Sequence, residues 1–195
     1  LDASFNALLV AAEEDLGDLW EEIGQKGGEA RARAEGMRAA LGAQWDPEAG
    51  LFRDRDLHGN DGTQETVAGL IPLYAGVPQP HQAARTARAM WDPARFGPSS
   101  AFPWAVTSVS KASPYFDPQR YWCGPVWVHV NWLLIRGLQR YRMEAEAEEL
   151  RRLTLELVER SGFSEYYHPG TRAPLGSGSF CWSASLTIDL LMRPR

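Results

Sequence analysis

Glu165 is the residue whose type and setting best suit acid–base chemistry. It stands in GFSEYYHPGTR, residues 162–172, just after an apolar-patterned helix and a Gly, with Phe163, Tyr166 and Tyr167 beside it. A carboxylate among aromatic rings is partly desolvated, which suits it to give or take a proton. The plain alternative is a loop glutamate in open solvent, the ordinary situation of carboxylates. A second stretch, YWCGPVWVHVN at residues 121–131, offers binding groups. Tyr121 and Trp122 present flat apolar faces that can stack on a sugar ring. Gly124 allows a ligand to come close to the backbone, and Trp127 and Asn131, four residues apart, share one helical face. The same residues also read as a Trp-rich core helix with a turn before it. Tyr167 and Trp182, on either side of the loop after Glu165, complete the candidate binding set.

Other polar groups carry less. Asp54, Asp56, Asp61 and Glu65 lie in DRDLHGNDGTQE. That spacing does not match a calcium loop, and the residue types favour turns. His58, His81, His129 and His168 are scattered without zinc spacing; His168, three residues after Glu165, could line the site. Asp117 precedes Pro118 and reads as a turn former, and it is the fallback acid if this chain works alone. Cys123 and Cys181 form neither a CxxC pair nor a disulfide framework and read as free buried thiols. No metal and no cofactor is expected.

Composition narrows the class. The 195 residues are 44% apolar and 23% charged, as in an ordinary globular domain. The net charge of −5, with no basic stripe, argues against nucleic acid. No apolar run reaches the roughly 18 residues of a membrane span, and no signal peptide is visible. The expectation is therefore no membrane and a cytoplasmic location; the sequence leaves a homo-oligomer open. The chain starts with Leu1 and not Met, which points to a processed or missing N-terminus. Eight Trp is a high number, and Trp104, Trp122, Trp127 and Trp182 lie near Gly, Pro or Ser, as cleft residues do.

The elements that must position these residues are helical. Phe5, Leu8, Leu9, Ala12, Leu16, Leu19 and Ile23 recur at three- and four-residue spacing, predicting a helix over 4–23 capped by Ser4 and ended by Gly24. A second helix is predicted over 29–41, and WDPEAGLFRDRD after it reads as a small hairpin loop. Further helices are predicted over 65–74, over 80–91 with Pro80 in its first turn, and from Pro125 to about 143. The last of these is apolar almost all round and so mostly buried. Another over 144–161 is acidic early and basic late, as the helix dipole favours. A loop over 162–180 carries Glu165, and a final helix covers 182–192. Residues 92–123 form a long irregular segment rich in Pro, Ser and aromatics, the kind of loop that is functional when ordered.

Taken together, these motifs resemble glycoside hydrolase family 63 and its relatives, the mannosylglycerate and glucosylglycerate hydrolases. LDASFNALLVAAEEDL is similar to the helix after that family's acid-bearing loop, and DGTQETVAGLIPLYAGVP to its LLPLYAGVP stretch. FPWAVTSVSKASPYFDPQRYWCGPVWVHVNWLLIRGLQRY and GFSEYYHPGTRAPLGSGSFCWSASLTIDLL resemble its two most specific blocks. The resemblance covers nearly the whole chain. It implies an all-α fold, part of an (α/α)6 toroid of helical hairpins of the six-hairpin glycosidase type, with residues 1–195 forming the C-terminal half of the catalytic domain. It also implies an inverting mechanism on an α-glycosidic bond, with Glu165 in the place of the catalytic base and the general acid on a loop upstream of Leu1. Tyr121, Trp122 and Gly124 match positions that contact the glycerate end of sugar-glycerate substrates. Cys123 stands where the family usually has Arg, which removes a fixed cation and its fork of donors.

The expected activity is hydrolysis of mannosylglycerate or glucosylglycerate to sugar and glycerate, so the expected partner is a small carbohydrate with a carboxylate aglycone. An α-glucosidase or trehalase-like hydrolase, a non-catalytic carbohydrate-binding protein, and a helical-toroid sugar isomerase or epimerase are the alternatives.

Overall fold

Helical hairpins in series are what the sequence periodicity requires and what the computed structural model contains; it describes residues 1–192. Helix α1 spans Ala3–Glu22 and α2 spans Gly28–Gly42. A two-residue hairpin, β1 at Trp45–Asp46 and β2 at Leu51–Phe52, follows at their end. Helix α3 is Pro80–Trp91, α4 is Val128–Arg140 and α5 is Glu144–Ser161. A second hairpin pairs β3, Ser164–Tyr167, with β4, Pro174–Gly178, and α6 is Cys181–Met192.

The helix starts and stops have local causes. The α1 cap is Asp2 and not Ser4: its Oδ1 accepts from the Phe5 N–H at 2.7 Å, satisfying a first-turn donor that no helical carbonyl can reach. Gly24 does end the helix, one residue past the Ile23 cap, at φ +76°. Glu144 and Glu146 open α5 and Arg160 closes it, as its charge pattern predicts.

Three boundaries differ from expectation. Residues 65–74 do not make an α-helix but two 3-10 turns, Val67–Gly69 and Ile71–Leu73. The hydrogen bonds there run three residues back, Leu70 N to Val67 O at 2.9 Å and Tyr74 N to Ile71 O at 2.8 Å. Thr66 is held extended by pairing with Val109, and Pro72 has no N–H to give a four-residue ladder. Helix α4 starts at Val128, three residues after Pro125, because Val126 is also drawn into extended pairing. The stretch expected as a loop over 162–180 contains the β3–β4 hairpin.

Packing sets the architecture. Helix α1, the 3-10 turns, α4 and α6 pack in that order as one row, with α2 against α1 and α5 against α4 and α6. Leu70, Leu134, Ile135, Leu138 and Leu150 are fully buried between these layers. The two ends of the row remain apolar and open. Phe5 is 67% exposed on α1, with Leu9 one turn on and Leu19 and Ile23 exposed toward its far end; Leu191 is 62% exposed on α6, near Ile188.

The segment between α3 and α4 is irregular but not loose. Single antiparallel bridges join Thr66 to Val109, Thr107 to Val126, and Val126 to Tyr167. Val126 and Tyr167 exchange both backbone hydrogen bonds, at 2.9 and 3.0 Å. Four distant stretches thus meet in one strip of extended backbone at the α4 start. That strip fixes Trp127, next to Val126, against Tyr166, next to Tyr167.

Candidate active site: an aromatic pile and a carboxylate on a bulged hairpin

Glu165 sits on β3, where the pairing slips. Ser164 faces Gly178 and Tyr166 faces Leu175, so β4 carries an extra residue opposite Glu165. Such bulges re-aim a side chain. Gly176, at φ +69°, makes this one possible: a Cβ on it would lie 2.6 Å from the Glu165 Oε2. The Ser177 N–H donates to that same oxygen at 3.1 Å. The carboxylate is half-buried and held by backbone, on a hairpin anchored to α6 by Ser183 Oγ donating to Ser164 O at 2.6 Å.

Beside it stands a pile of rings. Trp127 stacks on Trp122 at 4.1 Å and 7°, and on Tyr166 at 4.7 Å and 28°. Tyr121 meets Trp127 and Tyr166 edge-on, at 5.1 and 5.5 Å. These offset and edge geometries follow the ring quadrupole. Tyr121 holds a backbone φ of +33°, costly for a non-glycine residue, and its carbonyl accepts from Trp127 Nε1 at 3.3 Å.

The candidate residues divide into two groups. Tyr121, Trp122 and Trp182 are 49%, 41% and 56% exposed and present their rings outward. Trp127, Asn131, Tyr167 and Gly124 are buried and build the wall behind them. Trp127 is covered by its two stacked neighbours. Asn131 accepts from Val106 N–H at 3.2 Å and donates to Trp127 O at 3.0 Å, which locks the irregular segment to α4. The Tyr167 hydroxyl accepts from Ser164 N–H and donates to Gly162 O at 2.7 Å. At Gly124 the close neighbour is not a ligand but the chain itself: a Cβ there would meet the Asp117 carbonyl at 2.6 Å.

The secondary candidates are committed elsewhere. His168 builds its own turn, its Nδ1 accepting from Gly170 and Thr171 N–H at 3.0 and 3.1 Å. Asp117 is exposed and accepts from Gln119 N–H at 2.9 Å. Asp56 accepts from His58 and Asn60 backbone, Asp61 pairs with Arg55 at 2.8 Å, and Glu65 pairs with Arg95 at 2.8 Å. Those acids therefore form turns and ion pairs. Both cysteines are free, but Cys181 is exposed and Cys123 half-buried, against the expectation of buried thiols.

Sequence reasoning missed a cleft of about 440 Å³ between the starts of α1 and α4, bordered by Asp2, Leu8, Asp54, Ser108, Trp122 and His129. Trp122 joins it to the aromatic pile. Glu165 is not part of its lining and lies with Tyr166, at the end of the pile away from Trp122. Asp2 and Asp54 are both occupied in fixing the α1 start, Asp54 by accepting from Ala3 N–H at 2.7 Å. His129 sits among Trp122, Trp127 and Trp182 with ring centroids 5.4–5.6 Å apart. Burial pushes its pKa down to about 4. A helix-start aspartate and a helix histidine carry no sequence signal of this kind, because only packing brings them together.

Residues 1–183 match the sequence profile of the mannosylglycerate hydrolase MGH1-like glycoside hydrolase domain. The mannosylglycerate hydrolase of Thermus thermophilus is 37% identical over 96% of this chain, and the glucosylglycerate hydrolase of Mycolicibacterium hassiacum is 30% identical over 97%. The chain spans 44% of the length of each of these curated relatives. A crystal structure of a glycoside hydrolase family 63 mannosylglycerate hydrolase, also from Thermus thermophilus and in complex with Tris and D-glycerate, superposes with a TM-score of 0.89 at 36% identity, over 98% of this chain and 45% of that one. The neutral trehalase of Saccharomyces cerevisiae, at 20% identity and a TM-score of 0.72, over 95% of this chain and 36% of that one, shares the fold alone. The six-hairpin toroid type inferred from sequence thus holds, and the chain belongs to the mannosylglycerate hydrolase MGH1-like glycoside hydrolase family.

Proposed function

We propose that this chain is the C-terminal, base-bearing half of an inverting glycoside hydrolase that converts mannosylglycerate or glucosylglycerate to sugar and glycerate. Glu165 takes the proton from the attacking water. Tyr121, Trp122 and Trp182 provide the stacking surface for the substrate, while Trp127, Asn131, Tyr167 and Gly124 hold that surface in place.

The observation that carries this reading is the setting of Glu165. It is a half-buried carboxylate that a bulge re-aims, a backbone N–H fixes and an adjacent aromatic pile accompanies. Inversion needs a second carboxyl roughly 6.5–9.5 Å away to protonate the leaving oxygen. Asp2, Asp54 and Asp117 are each engaged in holding local backbone. In this reading, as the family resemblance implies, the acid belongs to the part of the toroid that the longer relatives have and this chain does not span. The open apolar faces of α1 and α6 are the surfaces on which that part would pack, since apolar patches of this size call for cover.

The test is release of sugar from both substrates by the full-length protein and its Glu165→Gln variant. The expected outcome is turnover of at least one substrate, lost by ~10² or more in the variant, as removal of a general base causes. Equal turnover by both proteins removes Glu165 from the mechanism, and binding without turnover by either favours a carbohydrate-binding protein.

A further inference from the structure

Tyr166 is the ring of the aromatic pile that reaches Glu165. A Cβ built on Gly176 would lie 2.6 Å from Glu165 Oε2 and 2.7 Å from Tyr166 Cε1, so carboxylate and ring edge close over the same bare backbone. Cε1 is the ring carbon next to the one that bears the hydroxyl, which therefore stands on the Glu165 side of the ring. The ring is fixed there by its neighbours: it stacks on Trp127 at 4.7 Å and meets Tyr121 edge-on at 5.5 Å.

Other tyrosines spend their hydroxyls on the fold. Tyr167 bonds Ser164 N–H and Gly162 O, and Tyr141 donates to Pro78 O at 2.6 Å. Among the described residues the Tyr166 hydroxyl has no protein partner, and it is not enclosed, so in the free protein water answers it. A ligand group that makes the same bonds displaces such a water without loss. Glu165 is poised likewise: Oε2 takes the Ser177 N–H, and Oε1 has no partner among the described residues. The charge of Glu165 repels the acidic end of the substrate, so the part that lies against Tyr166 is the uncharged sugar. Water on Glu165 attacks the anomeric carbon, C1, and the hydroxyl on the adjacent C2 is the nearest sugar group that both donates and accepts, as a phenol does. Hydrogen bonds to this hydroxyl strengthen as the glycosidic bond breaks. C2 is also the one centre at which mannose and glucose differ.

We propose that Tyr166 is a specificity-determining residue whose hydroxyl hydrogen-bonds the C2 hydroxyl of the sugar at Glu165, and so sets the preference between mannosyl and glucosyl substrates. This rests on the hydrolase reading above and places the sugar at the Glu165 end of the aromatic pile.

The experiment is steady-state kinetics of the full-length protein and its Tyr166→Phe variant on mannosylglycerate, glucosylglycerate and 2-deoxyglucosylglycerate, which lacks the hydroxyl in question. Phe keeps the ring stacked on Trp127 and removes only the phenol oxygen. For the better of the two natural sugars, kcat/KM is expected to fall roughly three- to tenfold, the size of one neutral hydrogen bond. The loss should fall more on kcat than on KM, because the bond tightens in the transition state. The poorer sugar should lose less, so that the preference narrows. The 2-deoxy substrate should be cleaved equally well by both proteins.

An equal loss on all three substrates overturns the proposal and gives Tyr166 a part in holding the attacking water or the Glu165 carboxylate instead. A loss below threefold on both natural sugars overturns it as well. Turnover that Glu165→Gln abolishes but whose sugar preference Tyr166→Phe leaves unmoved sinks the Tyr166 role alone and keeps the hydrolase reading. If wild type cleaves none of the substrates, both readings fall together.

Discussion

Helices α1 and α4 border two cavities, and the larger is the less suited to a sugar. Further along both helices from the aromatic cleft lies a space of about 520 Å³, edged by Glu14, Asp15, Tyr74, Trp132, Arg136 and Arg140. Four of its polar side chains, Glu14, Trp132, Arg136 and Arg140, already have partners. Glu14 pairs with Arg38 and, at 3.2 Å, with Arg140; Trp132 Nε1 donates to Asp189 at 2.7 Å; Arg136 donates to Gln139 at 3.0 Å. The cleft of about 440 Å³ is lined instead by the exposed Trp122 and Leu8 and the half-buried His129 imidazole. A ligand gains by meeting apolar planes and unpaired donors, not by filling the larger volume. One cavity is crossed by ion pairs between helices and the other presents an open aromatic and apolar surface.

Substitutions at the two places should separate these roles. The largest effect is expected from Gly176→Val. The new side chain would need φ +69° and would collide with the Glu165 carboxylate. Turnover should drop about 10²-fold, as displacement of a catalytic group does, with a loss of about 1–3 kcal/mol in unfolding free energy. Turnover at the wild-type rate would mean that the Glu165 position is not critical.

The next effect concerns pH. His129 falls from an ordinary 6.5 to about 4 in the folded protein. Between those values the unfolded chain binds a proton that the folded one does not, so stability is full above pH 6.5 and is lost as pH falls toward 4. The loss is at most about 3 kcal/mol. Denaturant titrations at about pH 7 and about pH 4.5, on either side of the ordinary histidine value, should show a smaller decline for His129→Phe than for wild type; equal declines would mean that the imidazole is solvated. The smallest effect is expected at the ion-paired end. Arg140→Ala leaves Glu14 its contact with Arg38, so stability should change by about 0–1 kcal/mol and sugar binding not at all. A clear loss of binding there would give the larger cavity a ligand role.

The candidate site is partly legible in the sequence. Glu165 and the rings of Tyr121, Trp122 and Trp182 can be named from residue type and neighbourhood, because an acid among aromatics and a Trp beside Gly and Pro are local patterns. The role of Gly124 is not legible, since the sequence shows a glycine but not the Asp117 carbonyl against it. Trp127 and Asn131 are indeed four residues apart, yet that spacing cannot tell a ligand-facing side chain from one that anchors a loop.

The fold divides in the same way. Helices α1, α2, α3 and α5 were determined by the sequence alone to within a residue or two, because caps, breakers and apolar periodicity act within a few positions of each other. The start of α4, the 3-10 turns after Glu65 and the bulged hairpin that carries Glu165 were decided only by tertiary structure. Each depends on hydrogen bonds beyond the local turn: Val67 N–H to Ser108 O and Ser110 N–H to Glu65 O, the mutual pair of Val126 and Tyr167, and Ser177 N–H to the Glu165 carboxylate across the hairpin. Buried amides must find partners, and where the partner is distant, local propensity gives way to it.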